Sequence, residues 1–359
     1  MQKRKNCLSV GLLVLLMAAT GVLLLQDQPL SRLAGILGRI HGGFVALGLL
    51  LMLAFVGCEA LCSRLVLARL GHKVPYRRCL GYSFTGFYFS SITPSATGGQ
   101  PAQVYYMSKD HIPAAHGALN MMLLAVCYQV TVIVYALAVL VLRFDLLANL
   151  GTGLGLLLLF GGGVNLLLTA GMLGLMFLPN VARRLMERVL GLGVRLRLVK
   201  DAAAARTRLG GQLEEYRRGD CCLRQNLSLL PALAGITVVQ LTALFAVPYV
   251  VYLAFGLSGF GALDIICTQA LVTLAVSSLP LPGAVGASEG GFVAAMTLFF
   301  GAGLVTPAVL VSRGVSFYSF LLVSGGVTLY MHLRSRRKDG AVPRPSLAPK
   351  GVRHAASGL

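Results

Sequence analysis

A chain of 359 residues that is 56% hydrophobic and 12% charged, with a mean hydropathy of +0.78, falls well short of the roughly 25% charge of ordinary soluble domains. Its 31 Lys and Arg against 12 Asp and Glu give a formal charge of +19, and these cations lie between and beyond the apolar runs. Such a distribution fits the loops of a membrane protein and argues against nucleic acid as a partner.

Apolar runs follow in chain order at about 7–25, 42–66, 116–142, 151–177, 227–256 and 307–331. At about 1.5 Å per residue, each is long enough for a hydrocarbon core about 30 Å thick. The first run follows Lys3, Arg4 and Lys5, as a signal peptide would. Its length of about 19 residues and the lack of a small-residue cleavage site mark it as a retained span. Two further stretches, 80–107 and 264–303, are apolar yet broken near their middles by Pro and Gly. The expected fold is an all-α polytopic membrane protein with about six full spans plus two re-entrant helical hairpins. Residues 264–303 also have room for two short full spans.

Charge sets the expected orientation. With the N-terminus inside, the segments 67–79, 178–226 and 332–359 are cytoplasmic and hold four, eleven and seven Lys and Arg. The outside loops then hold only Arg32, Arg39 and Arg143, the asymmetry of positive-inside orientation. Both termini are expected inside. Unit 42–142 then enters the membrane with a polarity opposite to unit 227–331, as inverted repeats do. The integral membrane domain is expected over 1–338. Within it, the basic segment 178–226 reads either as helices on the inner membrane surface or as a solvated connector, and 339–359 reads as a disordered tail.

The two breaks carry the candidate chemistry. The first runs from Ser90 through Thr93, Pro94, Ser95, Gly98, Gly99 and Gln100 to Pro101, and the second from Ser277 through Pro282, Gly283, Gly286, Ser288 and Glu289 to Gly290. They lie about 188 residues apart. Irregular backbone at membrane depth survives only where protein or a wet cavity satisfies it, and paired breaks in two halves point to a transport site. Half-helix N-termini offer unpaired amide donors and a positive dipole end, which suits an anionic headgroup. Glu289 is an expensive carboxylate in apolar surroundings, and Arg313 is the sole basic residue of span 307–331. Arg313 either engages a lipid phosphate with Glu289 orienting it, or forms with Glu289 a pair that fixes the hairpin. Glu59 is expected near the cytoplasmic interface, snorkelling or pairing with Arg64. Asn165 is expected to hydrogen-bond between helices. No metal-ligand spacing, nucleotide-binding loop or nucleophile elbow occurs, so neither cofactor nor metal is expected.

Along residues 5–335 the chain resembles the transmembrane region of bacterial lysylphosphatidylglycerol synthases and the stand-alone membrane proteins consisting of that region. The resemblance rests on Ile92–Gln103, on Leu281–Gly291, and on the last span with Arg313, Tyr318 and Gly325. It departs at Gln103, where the family often has Arg. The resemblance implies a flippase-like protein of the bacterial cytoplasmic membrane that moves an anionic or aminoacylated phospholipid between leaflets. The candidate substrate-binding set drawn from the two breaks and the charged pair is Thr93, Pro94, Ser95, Gly98, Gly99, Gln100, Gln103, Pro282, Gly283, Gly286, Ser288, Glu289 and Arg313. The relatives' cytosolic aminoacyl-transferase domain has no counterpart after the last span, so transferase activity is not expected. Rival readings are a transporter for a small soluble anion, or a non-transporting partner of a separately encoded lipid-modifying enzyme. A homo-oligomer is a further expectation left open.

Overall fold

The computed structural model describes residues 41–143, 151–177 and 228–340, with a few isolated positions outside them. The expected span 7–25, the connector 178–226 and the tail beyond 340 therefore lie essentially outside the described residues. What is described is all α-helical. In order come α1 (Gly42–Arg69), α2 (Tyr76–Ile92), α3 (Gly99–Lys109), α4 (Ala114–Leu142) and α5 (Gly151–Phe177). After the connector follow α6 (Leu229–Ala254), α7 (Ala262–Val276), α8 (Ala287–Phe300), α9 (Val305–Arg313) and α10 (Ser319–Gly340).

Six stretches among the described residues are long and apolar enough to cross a membrane: Gly42–Arg69, Ala114–Val141, Gly153–Gly174, Leu229–Ala254, Pro282–Phe300 and Val305–Ser335. Five coincide with expected spans. The sixth reaches that length only by counting a turn, since α8 itself has 14 residues and rises about 21 Å. Helices α2, α3 and α7, of 17, 11 and 15 residues, are likewise shorter than a hydrocarbon core about 30 Å thick.

The short helices meet at the two breaks, and the breaks share one conformation. Thr93 and Leu281 are extended, a proline follows each, and then two residues turn left-handed: Ser95 and Ala96 at φ 50° and 53°, Gly283 and Ala284 at φ 59° and 50°. Matching hydrogen bonds close both turns, Ala96 N–H to Thr93 O at 3.2 Å and Ala284 N–H to Leu281 O at 3.1 Å. Left-handed backbone at three non-glycine residues or their neighbours is strained and persists only where packing holds it. After each turn the chain folds back, so that α3 packs on α2 and α8 on α7.

Packing brings the halves together. Helices α1 and α6 lie antiparallel, with His41 N–H bonded to Ala254 O at one end and Val66 and Leu70 clustered with Leu229 and Leu233 at the other. Helix α10 runs antiparallel to α2, Met331 against Gly81 and Tyr88 against Gly325. The two turns touch, over a small core of Ile92, Val285 and Phe317. The outer faces of α4, α5 and α10 expose large apolar residues such as Leu137, Leu159, Leu167 and Leu322, as lipid-facing helices do.

Close approach of α5 to α7 depends on a missing side chain. A Cβ on Gly161 would lie 2.2 Å from Leu274 O and 2.9 Å from Ala275 O, both backbone atoms. One turn on, buried Asn165 donates from Nδ2 to Ser277 Oγ at 3.1 Å and Ser278 Oγ at 3.2 Å, bracing the end of α7 before its break. This is the interhelical role expected of Asn165, and it gives the two serines a structural duty. Gly161→Leu is predicted to cost at least about 1–3 kcal/mol by forcing α5 off α7. Gly153→Leu, where nothing lies within 4 Å, is the neutral control. Thermal unfolding of both variants in detergent checks this, and equal melting temperatures would refute the packing argument.

Candidate functional site

Helix α8 begins at Gly286, whose φ of 88° suits a residue without Cβ. The Glu289 carboxylate reaches back and accepts the Gly286 N–H through Oε2 at 2.7 Å. This is the carboxylate half of a capping box, the other half being absent because glycine has no side chain. Through Oε1 the same carboxylate accepts the Arg313 Nε–H at 2.8 Å, with a longer contact from the Tyr318 hydroxyl at 3.4 Å. Glu289 is 2% exposed and the Arg313 side chain 14%. The expected pair therefore forms.

Arg313 is held from three sides. Its Nη2 donates to Gly283 O at 3.1 Å, and its guanidinium lies 4.3 Å from the centre of the Phe317 ring, within cation–π range. The helix loosens immediately after it into one π turn, Gly314–Tyr318, which re-aims the side chains that follow. Gly283 is required here twice over. Its φ is positive, and a Cβ would meet Phe317 Cζ at 2.3 Å. The same position is 3.3 Å from Ser91 O, so the end of α2 lies against the second turn. Of the five N–H donors of a guanidinium, the Nε–H and one on Nη2 are used in hydrogen bonds to Glu289 and Gly283, and the Tyr318 hydroxyl lies beside the same group.

The first break is built from neutral groups. Thr93 Oγ1 accepts the Gly98 N–H at 2.9 Å, the cap that Glu289 supplies to Gly286. At the offset of about 188 residues, Pro101 stands where the second break has Glu289. Pro94, Ser95 and Thr97 are exposed at the tip, as is Gln100 on the first turn of α3. Gly99 permits α3 to close on α2, because a Cβ there would meet Ser90 Oγ at 2.0 Å and Gly86 O at 2.8 Å. Among the candidates of the second break, Pro282 is buried, and Ser288 is half-buried beside the pair.

Gln103 is not with the others. It lies one turn beyond Gly99 and donates from Nε2 to Glu59 Oε1 at 2.9 Å. Glu59 thus pairs with a neutral amide 44 residues away, while Arg64 is exposed. The interfacial pairing expected of Glu59 is replaced by an interior contact. Phe317 beneath Arg313 was absent from the sequence expectations, although the four-residue spacing on one helix face would have indicated it.

A scan against protein families matches residues 7–324 to the lysylphosphatidylglycerol synthase TM region. The chain belongs to that family. Comparison with curated proteins finds no match. Family and fold together make this chain a polytopic, flippase-like membrane domain of the bacterial cytoplasmic membrane. What the match identifies is a membrane region, not a catalytic transferase domain.

Removing Arg313 would leave the Glu289 carboxylate buried without its cation. Breaking a fully buried pair costs about 3–5 kcal/mol, and the slight exposure of Arg313 places the expectation near the lower end. Arg313→Ala is therefore predicted to melt well below wild type, and Glu289→Gln with Arg313→Met to recover much of the loss. A double variant no better than Arg313→Ala in thermal unfolding would contradict this account of the pair.

Proposed function

We propose that the chain moves an anionic or aminoacylated phospholipid between the leaflets of the membrane, with the phosphate engaging Arg313. In this reading the two broken segments are re-entrant hairpins of an inverted repeat, 42–142 and 227–331, with both termini cytoplasmic. Three features support the repeat: the shared turn conformation, the antiparallel α1 and α6, and the excess of cations on one set of loops. The observation that carries the function is the Glu289–Arg313 pair at the junction of both turns. Arg313 lies eight residues into the 31-residue stretch Val305–Ser335, about 12 Å along its axis, which in this reading puts it inside the hydrocarbon core.

A guanidinium held at that depth by one carboxylate and one carbonyl keeps its charge while presenting unused donors. A phosphate diester matches those donors and has no proton to lose at neutral pH. Glu289 keeps the guanidinium in place and makes the site's net charge close to zero, which weakens binding enough for release. The exposed first turn opposite offers hydroxyls to the headgroup, and the apolar outer faces of α4 and α5 suit acyl chains that stay in lipid. Rocking of one hairpin against the other would expose the pair to each side in turn. A homo-oligomer or a separately encoded lipid-modifying enzyme as partner belongs to the same proposal.

The test is leaflet translocation in proteoliposomes with headgroup-labelled phosphatidylglycerol, lysylphosphatidylglycerol and phosphatidylcholine. Wild type is expected to accelerate the first two, and Arg313→Lys, which keeps the charge but not the fork, to slow them at least about tenfold at matched folded protein. Movement of a soluble organic phosphate with no lipid movement would favour the small-anion reading. Wild-type rates in Arg313→Lys would remove Arg313 from the mechanism.

A further inference from the structure

Among the described residues the carboxylate of Glu59 has no cation beside it. It accepts a hydrogen bond from the neutral amide of Gln103, on a helix whose other end carries the first turn, and the Ser83 hydroxyl lies within reach of it. Glu59 is ten residues from the end of α1 at Arg69 and seventeen from its start at Gly42, so it is well inside the span. Protein packs densely around its carboxylate, although the residue as a whole keeps some accessible surface. An unpaired carboxylate in such a place is unstable unless something positive joins it.

Two further atoms show what is missing. Gln103 is 5% exposed and its Oε1 accepts no hydrogen bond from a described residue; Ser83 is 1% exposed, its hydroxyl lies within reach of the Glu59 carboxylate, and its Oγ accepts from no described residue. An amide oxygen and a hydroxyl oxygen are thus left without a donor on the two residues that neighbour the carboxylate, and both can accept. Nothing in the set selects an anion. The remaining neighbours that titrate are the thiols of Cys58 and Cys62 on α1, the Cys127 thiol on α4 and the Tyr128 phenol on α4, and none of these is a cation. Helix α6 presents the neutral Thr237 to Cys62. Gly86 leaves the room through which Gln103 reaches across α2, since a Cβ there would lie 2.0 Å from Gln103 Nε2.

We propose that Glu59, Gln103 and Ser83 form a site for one monovalent cation, a proton or Na⁺, that couples to the movement of the anionic headgroup. One carboxylate with two neutral oxygens balances a single charge; a divalent ion would demand six or more oxygens and more negative charge. The site grips α3 one turn below the tip that touches the second break. Filling it holds α3 against α1, and emptying it leaves a buried charge that favours a different position of the same helix. Cation and phosphate thus bias one element from its two ends, as reciprocal coupling between sites requires. The coupling rests on the lipid-transport reading above; the cation site does not.

The experiment has a binding arm and a transport arm, both on the full chain. In detergent, melting temperature is followed with sodium chloride against choline chloride, and across pH, for wild type, Glu59→Gln and Glu59→Asp. Wild type and Glu59→Asp are expected to be stabilised by Na⁺ or by acid, and Glu59→Gln to lose that response. The His72–His116 contact at 2.8 Å adds a pH response of its own. Burial and the neighbouring His116 ring hold the His72 imidazole below its ordinary range, so its contribution falls as pH drops through that lowered value. Being common to all three proteins, it cancels in the comparison. If Glu59→Gln tracks wild type in both salts and at every pH, the site is overturned. In proteoliposomes, a pH or Na⁺ gradient is imposed during movement of labelled phosphatidylglycerol. Acceleration by the bound cation in wild type, with Glu59→Gln moving lipid at a rate the gradient does not alter, supports coupling. Lipid movement in wild type that neither gradient changes overturns coupling. A Glu59-dependent cation response without any lipid movement keeps the site and defeats the transport reading.

Discussion

A guanidinium packed into an apolar protein interior needs a partner, and in this chain the contact between Arg313 and Glu289 organises what surrounds it. The carboxylate is simultaneously the cap of α8, so the ion pair and the start of that helix are the same structural event. Arg313 in turn ties the carbonyl of Gly283, the left-handed residue of the second turn, and stacks on Phe317 within the π turn. Phe317 fills the space above Gly283, and Ser91 at the end of α2 closes it from the other half. One charge pair therefore sets a cap, a turn, a helix irregularity and the junction between two broken segments.

The two breaks have the same backbone and different chemistry. Both place proline before two left-handed residues, and both cap the next helix with an oxygen, a threonine hydroxyl in one and a carboxylate in the other. A neutral cap goes with a tip that is exposed, as Pro94, Ser95 and Thr97 are. A charged cap locked to Arg313 suits a tip that stays put.

Much of this was legible in the sequence. The spans were visible because apolar runs of twenty or more residues have few alternatives, and the breaks because Pro94, Gly98, Pro282 and Gly286 interrupt such runs. Glu289 and Arg313 were conspicuous as isolated charges of opposite sign. Glu59 was misplaced because its neighbour in sequence, Arg64, offered a local partner, whereas the one it takes, Gln103, is 44 residues away and becomes adjacent only when α3 folds back. The Asn165 brace was readable as an interhelical bond, but its acceptors Ser277 and Ser278 were not, since their pairing depends on Gly161 letting α5 reach the α7 backbone. Periodicity reports a helix's own faces; it carries no information on which distant helix meets them.

The most direct measurement is the depth and water contact of the two broken segments in a bilayer. Spin labels at Thr97 and Ser288, with Leu159 on the outer face of α5 as the lipid-facing control, would be read by power saturation with oxygen and with a water-soluble nickel chelate. Both test labels should lie within a few ångströms of the depth of mid-bilayer lipid standards, about 15 Å from either face, while colliding with the chelate far more often than Leu159 does. Labels found at headgroup depth, or at mid-depth but reached by oxygen alone, would contradict re-entrant hairpins that bring their turns to water within the membrane.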